Sequence, residues 1–137
     1  MALHVAFYAE CQVCKGSSAA DAFRQVLKLS PQHPLAVFDL GLSLFDLGQN
    51  DEAIRWLTAA VREDPKAAGT HYYLGVALER TRRFPEARAS LQKAIELNPQ
   101  NADAYAALSR VYSAQREPRL AQESMAKALA LNPRLKQ

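Results

Sequence analysis

The chain has 137 residues, of which 49% are hydrophobic and 23% are charged, a composition typical of one globular domain. Its formal net charge of +3 comes from 17 basic and 14 acidic residues, whereas a dedicated nucleic-acid-binding protein usually carries a denser basic face. No apolar run approaches the roughly 20 residues that a membrane-spanning helix needs. We therefore expect no nucleic-acid partner and no membrane partner.

The first predicted element is a helix over about residues 3–14, which carries Cys11 and Cys14. This segment lacks a basic leader and a clean apolar stretch, and two cysteines make no disulfide framework, so we expect a cytoplasmic protein. The cysteine spacing also fits a redox pair or half of a zinc site, but no second pair supplies the remaining zinc ligands. Two ordinary thiols are the favoured interpretation, with redox or metal binding as the less favoured one. We expect no cofactor and no metal.

A 34-residue period then runs along the chain. Small residues, leucines and prolines each keep this spacing, and several independent columns with one period indicate a repeat architecture. The columns are Ala19, Ala53, Ala87 and Ala121; Leu40, Leu74 and Leu108; and Pro31, Pro65, Pro99 and Pro133.

Each repeat is predicted to be a pair of helices. In the first complete repeat, Leu40 and Leu44 lie on one face of the first helix, which Gly48 is expected to end in a left-handed conformation. Asn50 or Asp51 is predicted to cap the second helix, and the repeated proline ends it. A small residue follows the repeated leucine, at the level of the repeated alanine of the second helix. Such a residue would let the two helix axes approach to about 8–10 Å.

These columns resemble the tetratricopeptide repeat (TPR), and the resemblance covers about residues 34–133. It implies an all-α fold, a right-handed α-solenoid of stacked antiparallel helix pairs that forms a single domain over residues 1–137. The predicted units are a partial one at 1–33 and three full ones at 34–67, 68–101 and 102–137.

The partial unit departs from the family pattern. Only its second helix, about residues 18–30, matches well. In its first helix, either Phe7 or Ala9 occupies the small-residue position, so the register of that helix stays open.

The resemblance also implies a function. In this family the first helix of each unit lines an inner groove where partners bind, and the chain shows no catalytic motif. We therefore predict a non-enzymatic scaffold or adaptor that binds a protein or peptide through an apolar or amphipathic segment. Arg80 and Arg110 are expected to contribute polar anchors. The predicted groove residues are Leu35, Phe38, Asp39, Leu42, Phe45, Tyr72, Tyr73, Val76, Arg80 and Arg110.

Leu35, Phe38, Leu42 and Phe45 form an apolar stripe beside the core stripe of their helix, and two alternatives to peptide binding stay open for it. The N-terminal helix could cover it, or another copy could do so, which would make the chain a self-assembling module that joins copies through the groove or through an uncapped C-terminal face near Met125. The carboxylate clamp with which some members hold chaperone tails is absent, because its columns hold other residues. They are Phe38, Leu42, Tyr73, Asp103 and Ala107.

A basic group surrounds one turn between helices. Arg80, Arg82, Arg83 and Arg88 are interpreted as a solvated turn, with phosphate or acidic-peptide binding as the alternative.

Overall fold

The structure is a computed structural model that describes residues 17–30 and 33–136. Within these residues it contains helices and no strand, which confirms the predicted all-α class. The predicted helix at 3–14, with its two cysteines, lies outside the described part. The α-helices are α1 (Ser17–Leu29), α2 (Pro34–Asp46), α3 (Asn50–Glu63), α4 (Ala68–Arg80), α5 (Phe84–Leu97), α6 (Ala102–Ala114) and α7 (Pro118–Leu131), followed by a short 3-10 helix (Pro133–Lys136).

The chain divides into two compact units, Met1–Pro65 and Lys66–Gln137. In the first unit, α2 and α3 form an antiparallel pair and α1 packs against α2. In the second unit, α4 pairs with α5, α6 pairs with α7, and α5 packs against α6. The predicted helix pairs of the three full repeats are therefore present, and neighbouring helices stack on them within each unit. The organisation as one domain stays a prediction.

The repeat columns form the core of each unit. Leu40, Leu44 and Leu57 are fully buried in the first unit, and Leu91 and Val111 are fully buried in the second. Burying a leucine side chain contributes roughly 1.5–3 kcal/mol relative to leaving it in water. The leucines at 34-residue spacing therefore hold each helix pair together.

The glycines after the repeated leucines permit a close approach of the paired helices. A Cβ atom at Gly41 would lie 2.9 Å from Cγ of Leu57, and one at Gly75 would lie 2.6 Å from Cγ of Leu91. The closest neighbour is thus a leucine, one helical turn beyond the alanine column that the sequence indicated. In the third pair, Ser109 replaces glycine and its hydroxyl donates a hydrogen bond of 2.7 Å to the carbonyl of Ala121.

The turns inside the helix pairs share a left-handed residue. Gly48 has a φ of 78°, which confirms the predicted role of this glycine. The predicted cap of α3 is wrong, because Asn50 is already inside the helix and Gln49 stands at the N-cap without a side-chain hydrogen bond. The short turn brings the cap position one residue earlier, and the carbonyl of Gln49 accepts from the amide of Ala53 at 2.9 Å.

Candidate partner-binding faces

The first candidate is the α2 face, formed in the first unit by Leu35, Phe38, Asp39, Leu42 and Phe45. Leu35 is 68% exposed, whereas Phe38, Asp39 and Leu42 are half-buried and Phe45 is buried. Along an α-helix, residues three or four apart lie on one side, so the first four of these residues present one accessible surface. That surface is mainly apolar, and its one charged residue is Asp39.

Asp39 has an unusual environment for a carboxylate. It forms no hydrogen bond or ion pair with any described residue, and burial raises its pKa above the ordinary value. The charge of His33 acts in the opposite direction. His33 stands at the N-cap of α2, where its Nδ1 accepts from the amide of Ala36 at 3.1 Å. Asp39 is thus a partly desolvated carboxylate that the described residues leave without a counterion.

The second candidate is the α4–α6 face of the second unit, formed by Tyr72, Tyr73, Val76, Glu79 and Arg80 of α4 with Asp103 and Arg110 of α6. The rings of Tyr72 and Tyr73 meet edge to face, with centroids 5.2 Å apart. Burial raises the pKa of Tyr72, and the negative charge of Asp103 acts in the same direction. Val76 is buried and Arg80 is exposed at the end of α4.

An ion pair joins the two helices of this face. Nε of Arg110 lies 2.8 Å from Oε2 of Glu79, and its Nη2 lies 3.0 Å from Oε1. The side chain of Glu79 is 14% exposed and that of Arg110 is 55% exposed. The hydrogen bonds to Glu79 raise the pKa of Arg110. Arg110, predicted as an anchor for a partner, therefore already has a carboxylate within the chain.

The sequence interpretation missed this pair because the two residues are 31 positions apart. A separation three short of the 34-residue period offsets them by about one helical turn on the first helices of successive repeats. Opposite charges at that spacing are the signal that could have indicated the pair.

The basic group at the α4–α5 turn is largely engaged within the second unit. Arg83 forms two hydrogen bonds with Glu86, at 3.1 and 2.7 Å. Arg88 lies 3.1 Å from Glu117 and stacks over the ring of Tyr112 at 4.9 Å. Arg82 lies over the ring of Phe84 at 5.7 Å. These contacts favour the interpretation as a solvated turn.

Among residues 17–30 and 33–136, no group of three or more histidine, cysteine, aspartate or glutamate residues is arranged to hold a metal ion. The cysteine pair lies outside those ranges. No helix of the described part has the length and apolar character needed to span a bilayer.

Comparisons with known proteins agree with the helix pairs. One tetratricopeptide-repeat sequence model matches residues 15–68 and 39–102, and a second matches residues 90–123. No curated protein sequence matches the chain.

Similar solved structures include MamA, for which one crystal structure has a TM-score of 0.83 and 33% identity over 86% of this chain and 69% of that one. MamA from Desulfovibrio magneticus RS-1 has a TM-score of 0.87 and 25% identity, over 98% and 76% of the two chains. YrrB, described as a TPR protein with an unusual peptide-binding site, has a TM-score of 0.81 at 24% identity, over 86% and 61%, and shows the fold alone. The sequence matches and the shared architecture establish that the chain belongs to the tetratricopeptide repeat family.

Proposed function

We propose that the chain is a non-catalytic interaction module that binds an apolar or amphipathic segment of another protein on the first helices of its repeats. TPR proteins are generally non-catalytic interaction modules. The observation that carries the proposal is the contrast along α2. Leu40 and Leu44 are fully buried on its core side, while Leu35 stays 68% exposed beside half-buried Phe38 and Leu42. Contiguous exposed apolar surface usually marks an interface.

The chain offers a matched pair of leucines for the test. Leu35 lies on the α2 face, and Leu29, at the end of α1, is 74% exposed and outside that face. We expect Leu35→Glu to weaken peptide binding about tenfold or more, because it replaces an apolar contact by a charge. Leu29→Glu adds the same charge elsewhere and should change affinity less than about twofold.

The probe is a peptide selected from a displayed random library against the immobilised wild-type chain. Its affinity for each variant is measured by fluorescence anisotropy, with helical circular dichroism confirming that both variants fold. Equal affinities of the two glutamate variants would place the binding site away from the α2 face. A library that yields no binding peptide would contradict the proposed function itself.

Self-assembly is the second candidate, and one observation favours it. Leu131, at the end of α7, is 38% exposed, and the neighbouring Leu129 and Met125 are half-buried. A second copy that covered this surface would make the molar mass depend on concentration. Light scattering across a dilution series tests this, and a constant monomer mass at high concentration would exclude it.

A further inference from the structure

The α2 face combines apolar surface with one negative charge, that of Asp39, which no residue of the described part compensates. Asp39 is preceded by Leu35 four residues earlier and followed by Leu42 three residues later, so each leucine lies one helical turn away on the same side. The helix sequence from Pro34 to Asp46 contains two aspartates and no lysine or arginine. The α2 face therefore carries one negative charge and no positive one, although the chain as a whole carries a net charge of +3.

The two described helices packed against α2, which are α1 and α3, do not compensate for this charge. On α1, Arg24 lies 2.8 Å from both Asp21 and Glu52, so its guanidinium is engaged elsewhere. The other basic residues of these helices, Lys28 on α1 and Arg55 and Arg62 on α3, are exposed. His33 is the one described titratable group whose charge acts on Asp39, and it forms no ion pair with it.

A half-buried carboxylate without a counterion is costly, because burial removes water without supplying another stabilising partner. A cation brought by a binding partner would supply that counterion at the place where the apolar side chains of the same partner are buried. An acidic partner would meet repulsion at Asp39, and a purely apolar one would desolvate the carboxylate further. The negative charge of Asp39 therefore favours a partner segment that carries a cation beside its apolar side chains.

We propose that the α2 face recognises a peptide segment in which a lysine or arginine stands between apolar side chains, with Asp39 receiving the cation and Leu35 and Leu42 contacting the apolar residues. This inference rests on the proposed function and adds the charge pattern of the bound segment. The guest is a segment of another protein. A second copy of the chain is an alternative occupant that the experiment distinguishes.

Peptide selection tests the pattern directly. A displayed random library is selected against the wild-type chain, against Asp39→Asn, and against Asp51→Asn as a matched control. Asp51 is exposed on α3, so its substitution makes the same change in net charge away from the α2 face. We expect wild type and Asp51→Asn to enrich peptides with a basic residue flanked by apolar ones, and Asp39→Asn to keep only the apolar preference.

Non-specific attraction would produce a different result. Because the chain has a net positive charge, non-specific electrostatic attraction would enrich acidic peptides rather than basic ones. Basic enrichment that persists with Asp39→Asn, or apolar peptides enriched without a basic residue by the wild type, would overturn the inference.

A double-mutant cycle then measures the coupling between Asp39 and the lysine of the bound peptide. The best peptide and its lysine-to-methionine version are titrated against each chain by fluorescence anisotropy. We expect the peptide change to weaken binding about fivefold or more to wild type and to Asp51→Asn, but less than about twofold to Asp39→Asn. Equal losses for wild type and Asp39→Asn would show that the lysine contacts another residue, which contradicts the inference.

The outcomes also separate this inference from the proposed function. If apolar peptides bind and Leu35→Glu weakens them, while Asp39→Asn has no effect on selection, the proposed function stands and the role of Asp39 is excluded. If no peptide binds to any chain, the proposed function fails as well. Peptide binding that appears only when the chain is diluted below a dimer dissociation constant would show that a second copy occupies the face.

Discussion

The two units share their packing residues but differ in the charges that they place on the first helices of their repeats. In the second unit, Glu79 of the α4–α6 face has a bidentate arginine partner, Arg110. In the first unit, no described residue forms such a pair with Asp39 of the α2 face. The repeat determines which residues form the core, and it leaves the residues between them free to differ. Those free positions are where we expect binding specificity to lie.

The helix pairs differ in a second way, at the position after the repeated leucine. Gly75 leaves no room for a Cβ atom against Leu91, whereas the equivalent Ser109 carries one and bonds to the backbone of Ala121. The residue equivalent to Leu91 in that pair is Met125, 34 positions later. Methionine is unbranched and adapts to irregular space, so we expect Met125 to accommodate the Cβ atom that Ser109 carries at this position.

The largest expected effect comes from filling the tighter contact. Gly75→Ala places a Cβ atom 2.6 Å from Cγ of Leu91, and we expect it to lower the free energy of unfolding by about 1–3 kcal/mol. Gly69→Ala is the matched control on the same helix, because nothing lies within 4 Å of its Cβ position. That change should be neutral or stabilising by up to about 1 kcal/mol, since alanine favours helix. Urea unfolding followed by circular dichroism measures both.

The third helix pair suggests a second substitution that compensates for the stability lost in Gly75→Ala. Adding Leu91→Met to Gly75→Ala introduces the methionine of the third pair, whose flexible side chain can move away from the new Cβ atom, and should recover part of the stability. Similar stabilities of the two alanine variants would contradict the role of the close contact, and so would a double variant no more stable than Gly75→Ala alone.

A smaller effect is expected at the turns inside the helix pairs. Gly48 has a φ of 78°, and the equivalent Arg82 and Arg116 have φ values of 62° and 61°. A left-handed conformation costs a non-glycine residue about 1 kcal/mol. We therefore expect Arg116→Gly to raise the free energy of unfolding by about 0.5–1 kcal/mol, and Arg82→Gly to gain less because it also loses the contact with the Phe84 ring.

A control variant separates the effect of the backbone conformation from the effect of losing the arginine side chain. Arg116→Ala removes the same guanidinium but keeps a Cβ atom, so it should not reproduce the gain. Gly48→Ala should lower the stability of the first unit by about 1 kcal/mol. Equal thermal stabilities of Arg116→Gly and Arg116→Ala would show that the turn is not strained.

The fold was largely predictable because packing repeats along the chain. The 34-residue period located the helix pairs and their buried leucines, and the left-handed turn at Gly48 followed from the residue itself. The left-handed arginines were not predictable in the same way, since arginine carries no preference for that conformation. The prediction of the α3 cap was wrong because assigning a side-chain cap requires the first residue of the helix to be known to within one position.

The candidate faces were only partly predictable. The repeat indicated which residues lie on the first helices, but their accessibility depends on what packs against them. Phe45 and Val76 are buried, although the sequence interpretation included both among the residues of the groove. The ion pair between Glu79 and Arg110 was missed because the two residues are 31 positions apart, and only an alignment of successive repeats brings their opposite charges together.

The smallest expected effect sharpens the comparison between the two units, because it measures what the uncompensated charge costs. Burial raises the pKa of Asp39 above the ordinary value of 3.8, so the folded chain binds a proton more readily than the unfolded chain does. The contribution of this carboxyl group to stability therefore decreases as the pH rises from 3.8 through its raised pKa, and the full cost applies at neutral pH.

We accordingly expect Asp39→Asn to raise the free energy of unfolding slightly at neutral pH, by roughly 0.5 kcal/mol or less, and to lose this advantage well below pH 3.8, where the carboxyl group is protonated in both the folded and the unfolded state. Asp51→Asn should act in the opposite direction at neutral pH, because it removes a negative charge from the first turn of α3. Thermal unfolding of both variants, at neutral pH and well below pH 3.8, measures these changes. A gain from Asp39→Asn that did not change with pH would mean that burial of the charge is not its cause. A gain confined to neutral pH, together with the lost preference for basic peptides, would show that the α2 face gives up stability in order to bind a cation.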